Sequence, residues 1–232
     1  MIWCLQLCNN WNFRFLDLKM DKFKKLVDVF KYWNSRINLS AIRDDEGIKI
    51  KHIKDSLEGL KIIGDLEING DLGDKIKKLR NQSQKFSNNL PISVVDVWSW
   101  SGFPLLPLAI SKPEWDFTWI ESIKKKVNAI SDMAEKLDLK NVKMLRTRAE
   151  DYKERQFDIL TARAVAYINK LMKFTYHLVK PGGYFVLYKL NSIEEFEDLQ
   201  KTMKKYNLKL VKAHRYKLFD DDIERIIYVL KK

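Results

Sequence analysis

The residues best suited to chemistry stand where apolar runs end. The stretch Val94-Val95-Asp96-Val97-Trp98-Ser99-Trp100-Ser101-Gly102-Phe103-Pro104 leads from an apolar run through an acid and a small-residue loop toward a helix. In an open α/β sheet such a loop lies at the carboxyl end of the first strand, where ligands bind. Glu121 ends the next apolar run, about twenty residues on, where an acid commonly holds a ribose diol. Arg148-Ala149-Glu150 follows the third run and Arg163-Ala164 the fourth. Lys180-Pro181-Gly182-Gly183 reads as a tight turn before the fifth. On the loop after Asp96 and on Glu121 alone, a dinucleotide fits as well as any other nucleoside cofactor, and the residues after the third and fourth runs sharpen the reading.

These residues need a scaffold, and the apolar pattern supplies one. From Asp21 onward, Phe23, Leu26, Val27, Phe30 and Trp33 recur at helical offsets, with Lys22, Lys24 and Lys25 on the wet side. The acids Asp44, Asp45 and Glu46 favour a second helix starting near Gly47, which would turn Ile50, Ile53, Leu57 and Leu60 inward. Residues 64–91 read as a linker or insertion with one short basic helix at residues 75–80. Strand-like runs then occupy residues 92–97, 116–120, 142–145, 157–161, 184–189, 208–213 and 225–230. Helical stretches at residues 104–111, 123–138, 167–179 and 193–206 separate most of them. That alternation predicts a mainly parallel sheet with helices on both faces. The turn at residues 219–224 is too short for a crossover, so the last two strands pair as a hairpin and one edge strand runs antiparallel.

Composition narrows the function classes. The 232-residue chain carries a net charge of +12, which points to a polyanionic partner. No apolar run is long enough to span a bilayer. Both cysteines, Cys4 and Cys8, fall near the start and make neither a disulfide framework nor a complete metal site, so a reducing compartment is expected. Residues 1–19 lack the charged start and unbroken apolar stretch of a signal peptide. They read as a non-native or flexible extension, with the native chain starting at Met20.

The whole layout is that of an S-adenosylmethionine-dependent methyltransferase. The chain from about Met20 resembles the glucose-inhibited division protein B family, the guanine-N7 methyltransferases of small-subunit ribosomal RNA. The resemblance rests on six ordered elements. The first two are Trp33-Asn34 with Asn38-Leu39-Ser40-Ala41-Ile42-Arg43, and Lys51-His52 with Asp55-Ser56-Leu57. The third runs from Asp96-Val97 to Pro104, with Pro107-Leu108. Arg148-Ala149-Glu150, Arg163-Ala164-Val165 and Lys180-Pro181-Gly182-Gly183 complete the set. The implied fold is α/β: a Rossmann-like class I methyltransferase with a seven-stranded mixed sheet, a reversed last strand and added N-terminal helices. The implied organisation is a helical segment at 20–63, the linker at 64–91 and the methyltransferase domain at 92–232.

By the same resemblance the cofactor is S-adenosyl-L-methionine, with no metal. Its binding residues fall on Trp98, Phe103, Glu121, Ala149, Glu150 and Arg163. The implied reaction is N7-methylation of a specific guanine in 16S rRNA of the small ribosomal subunit or its precursor, by a cytoplasmic monomer. No residue is assigned as catalytic, and His52 reads as an interhelix histidine. Lys22, Lys24, Lys25, Arg36, Arg43, Lys49, Lys51, Lys124, Lys125 and Lys126 are candidates for a phosphate-binding surface.

One departure from the family pattern is serious. Trp98 and Trp100 stand where the family has glycines, and Leu105 replaces a third. Glycine serves such loops because they need unusual φ values and close backbone approach to the ligand. The chain holds 8 glycines and 7 tryptophans. That imbalance predicts UGA codons, read as glycine in the source genome, at positions 98 and 100. Trp115, in an acidic turn, is expected to share that origin, and Trp3 and Trp11 are grouped with it. The alternative is a catalytically disabled RNA-binding relative.

Overall fold

The computed structural model describes residues 13–69, 91–97, 99, 101–163, 167–219 and 222–232. Helix α1 (Phe13–Ile37) begins before Met20 and runs through it without a break, so the helix predicted from Asp21 is one segment of a longer one. A second helical run follows without interruption: α2 (Asp45–Gly47), a π-helical stretch (Ile48–Lys54) and α3 (Asp55–Asn69). Asp44 caps it, its carboxylate accepting from the Gly47 N–H at 2.6 Å, so the acids before Gly47 act as expected. The helix reaches Asn69, so residues 64–69 are helical and not linker. The short basic helix expected at residues 75–80 lies outside the described residues.

The sheet follows in order: β1 (Ser93–Val97), β2 (Asp116–Ile120), β3 (Val142–Leu145), β4 (Phe157–Arg163), β5 (Val179–Leu190), β6 (Lys209–Tyr216) and β7 (Arg225–Lys231). Its spatial order is β3-β2-β1-β4-β5-β7-β6. The first five strands are parallel, and β7 runs antiparallel to both neighbours, β5 and β6. The last strand is therefore reversed, but it is not the edge. β7 inserts between β5 and β6, leaving β6 outermost. The residues say why: Ile226, Ile227, Val229 and Leu230 are all buried, whereas Lys209, Lys212 and Arg215 give β6 a polar margin.

Lys180-Pro181-Gly182-Gly183 also differs from the reading of a turn before the strand. It is an irregularity inside β5, where the register with β4 shifts between Phe157 and Ile159. Gly182 has φ +74, and its N–H donates to the Lys232 carbonyl at 2.9 Å.

Helices α4 (Leu105–Ser111), α5 (Lys124–Lys136), α6 (Ile168–Thr175) and α7 (Ile193–Tyr206), with 3-10 turns at Ala149–Asp151 and Tyr176–Leu178, complete the described elements. The two faces of the sheet carry separate cores. One joins Val94, Phe117, Trp119, Val186 and Ile227 to residues of α1, the π-helical stretch, α3, α4 and α5. The other joins Val95, Ile120, Leu160, Phe185 and Tyr228 to α6 and α7. Trp115 belongs to the first core: it is buried and its ring stacks on Phe117. It fills space there.

Candidate functional site

The winding of the sheet reverses between β1 and β4, so the crevice outside their carboxyl ends is where a ligand of this fold binds. Asp96 sits at that end of β1 and is fully buried. It accepts from the Ser99 hydroxyl and, at 2.6 Å, from Thr161 on β4. The Trp119 indole N–H on β2 donates to Ser99 Oγ at 3.0 Å. The Asp96 carboxylate thus joins β1, β4 and the loop directly, and β2 through Ser99. Burial pushes the Asp96 carboxyl up to about 7, while its hydroxyl partners and the charge of Arg163 pull the other way.

The loop after β1 turns at Gly102, whose φ is +79. A Cβ there would meet Ile130 Cδ1 at 2.9 Å and Leu106 Cδ1 at 3.1 Å, so glycine is required both by conformation and by α5 packing. Phe103 follows it into the core, 1% exposed. Its ring stacks on His52 at 4.8 Å and meets Phe30 edge-on at 5.2 Å. Trp98 and Trp100 lie outside the described residues.

Glu121 follows β2 and is buried. Its carboxylate accepts from the Ile123 N–H at 3.0 Å, before the first turn of α5, and pairs with Lys126 at 3.6 Å. Lys126 is itself buried, which removes it from the expected phosphate-binding surface. Lys124 and Lys125 beside it are exposed. Ala149 is buried and Glu150 half-buried in a short 3-10 turn after β3. Next to them an open cavity of about 530 Å³ borders Leu145, Arg146, Thr147 and residues 151–154.

Arg163 is the last residue of β4, and the helical run holds it. Its Nε pairs with Asp55 at 2.8 Å, and its Nη2 donates to the Lys51 carbonyl. Asp55 was not singled out for a role, although Asp55-Ser56 is part of a motif. It is 2% exposed, accepts from Tyr216 on β6 at 2.7 Å and pairs with Arg225 on β7 at 3.6 Å. The neighbouring residues of Arg163 on its C-terminal side, Ala164 and Val165, lie outside the described residues.

His52 is buried against Phe103, and its Nε2 lies 2.9 Å from Ser40 Oγ. Burial and the nearby Arg163 charge push its imidazole down to about 3, so it stays neutral near pH 7 and serves packing. Among the described residues, no group of three His, Cys, Asp or Glu could hold a metal ion. No described helix is long and apolar enough to cross a membrane.

Known proteins agree with this architecture. The family model for rRNA small subunit methyltransferase G matches residues 72–226. Ribosomal RNA small subunit methyltransferase G of Acetivibrio thermocellus is 33% identical over 222 residues, covering 93% of this chain and 81% of that protein. The protein of the same name from Lysinibacillus sphaericus is 30% identical over 220 residues, covering 92% and 83%. Among solved structures, TrmN from Thermus thermophilus is similar in fold, with a TM-score of 0.50 and 17% identity over 68% of this chain and 48% of that one. With a matching family model and relatives similar along nearly its whole length, the chain belongs to the rRNA small subunit methyltransferase G family of methyltransferases.

Proposed function

We propose that this protein transfers a methyl group from S-adenosylmethionine to N7 of a specific guanine in small-subunit ribosomal RNA. The observation that carries the reading is the pair of buried strand-end acids, Asp96 and Glu121, beside a loop that turns at Gly102. The chemistry of this set fits the cofactor. A carboxylate accepts up to about four hydrogen bonds, so Glu121 keeps capacity for a ribose diol after engaging Ile123 and Lys126. Ala149 and Glu150 would flank the adenine, and Arg163 would face the site from β4. Phe103 has its ring enclosed by His52 and Phe30, which leaves its backbone to meet the ligand.

When bound, S-adenosylmethionine supplies an electrophilic methyl group on a sulfonium. The protein then needs no general base, because guanine N7 carries a lone pair and no proton. Its own task is to orient the base and exclude water. The neutral, buried His52 agrees with this division of labour. N7 lies on the major-groove edge, which A-form RNA hides, so a looped or splayed nucleotide is the substrate. Exposed Lys49 and Lys51 on the helical run and Lys124 and Lys125 on α5 would meet its phosphates.

Calorimetric titration with S-adenosylhomocysteine tests the cofactor site. It is run on the chain as it stands and on Trp98→Gly/Trp100→Gly. Binding in the glycine variant and little in the other is expected, since an indole at the loop would overlap the ligand. Glu121→Ala in the binding background should weaken affinity by roughly ten- to a hundredfold. Absence of binding in both backgrounds would refute the cofactor reading.

A further inference from the structure

Arg163, at the end of β4, and Phe103, in the loop after β1, are gripped by the same few residues outside the sheet. Within one helical turn, the Lys51 carbonyl takes Arg163 Nη2, the His52 ring covers Phe103 and the Asp55 carboxylate takes Arg163 Nε. Two of the three guanidinium nitrogens are thereby committed. Among the described residues, Arg163 Nη1 has no partner. A guanidinium is a planar fork, so fixing two nitrogens fixes where the third is aimed.

Asp55 is itself fixed from elsewhere. Tyr216 on β6 donates to its Oδ1, and Arg225 on β7 approaches the same oxygen. One step along α3, the Ser56 carbonyl accepts from Tyr188 on β5 at 2.8 Å. At Gly59 a Cβ would lie 1.9 Å from the Tyr188 hydroxyl, so only glycine lets α3 lie this close to the sheet. The helical run is thus seated on β5, β6 and β7, and grips the end of β4 through Arg163.

We infer that Asp55 is a positioning residue: from a helix outside the sheet it holds the Arg163 fork in the orientation the cofactor site requires. The inference rests on Arg163 lining that site. It makes the N-terminal helical segment a working part of the binding pocket.

The test is titration of the full chain with S-adenosylhomocysteine, in whichever of the literal or Trp98→Gly/Trp100→Gly backgrounds binds it. Asp55→Asn and Arg163→Gln should each weaken binding about tenfold, and the double variant no more than the weaker single one. In steady-state assays the KM for the cofactor should rise and that for RNA should not. Tyr216→Phe, which leaves the Asp55–Arg163 pair in place, should lower the melting temperature without changing affinity. If Asp55→Asn does not fold, Asp55→Glu keeps the charge, displaces it by one methylene and should still weaken binding. Unchanged affinity in a folded Asp55 variant, or additive losses in the double variant, would overturn the inference while Arg163 keeps its role. Unchanged affinity in Arg163→Gln, or no binding in either background, would remove the reading of the site on which the inference stands.

Discussion

Asp96 and Asp55 are both buried carboxylates at the rim of one crevice, yet the regions around them are built differently. Asp96 is held by hydroxyls, from Ser99 and Thr161, in a layer made by three neighbouring strands. Asp55 is held by cations and a phenol that come from β4, β6 and β7. The first arrangement leaves the charge poorly balanced, and burial drives the group toward its neutral form. The second gives a buried charge two counterions and couples distant parts of the chain. The strand-end region is a hydrogen-bonded floor, and the helix-to-sheet junction is an ion-paired joint.

The contrast is broken most severely by Asp55→Ala. It leaves Arg163 and Arg225 close together without their shared counterion, and removing one partner of a buried pair costs about 3–5 kcal/mol. Urea unfolding should report a loss of that size, and a loss under about 1 kcal/mol would mean the junction is solvated.

Gly59→Ala attacks the same joint through its packing. Tyr188 is fully enclosed, so a methyl group 1.9 Å from its hydroxyl forces the helix outward. Overpacking of this kind costs about 1–3 kcal/mol, read as a lower melting temperature.

The pH slopes separate the two regions by sign. Asp96 titrates at about 7 in the folded protein against 3.8 as a free carboxyl. Between those values the folded state holds a proton that the unfolded chain has released, so this group lowers stability as pH rises. His52 titrates at about 3 against 6.5. Between those values the unfolded chain binds the extra proton, so this group lowers stability as pH falls. Asp96→Asn should flatten the first component of the stability profile, and His52→Phe, which keeps the ring against Phe103, the second. Identical profiles in wild type and both variants would show that neither group is perturbed.

The two regions also differed in how much could be read beforehand. The Asp96 floor was legible because local sequence makes it: an apolar run ends in an acid, and the next acid follows the next run. β2 and β3 fall where the periodicity put them, at residues 116–120 and 142–145. The Asp55 joint was not legible. Its motif was visible, but its partner Tyr216 lies 161 residues away, and no local pattern announces such a contact. The reversed strand was half-read. The short turn required a hairpin, while the edge assignment needed the contrast between the apolar run of β7 and the charged β6. Lys126 looked like one of three exposed lysines until the fold turned it toward Glu121. Residues 70–90, Trp98 and Trp100 lie outside the described residues, so their readings stand as expectations.

The central claim is the reaction itself. Small-subunit RNA lacking the family's modification is incubated with S-adenosylmethionine and the Trp98→Gly/Trp100→Gly protein. It is then reduced and treated with aniline, which cleaves the strand at N7-methylguanine. Cleavage at one guanine, reduced by Glu121→Ala at limiting cofactor and abolished by omission of the cofactor, is the predicted result. Intact RNA from a protein that binds S-adenosylhomocysteine tightly, or methylation at an atom other than guanine N7, would contradict the account.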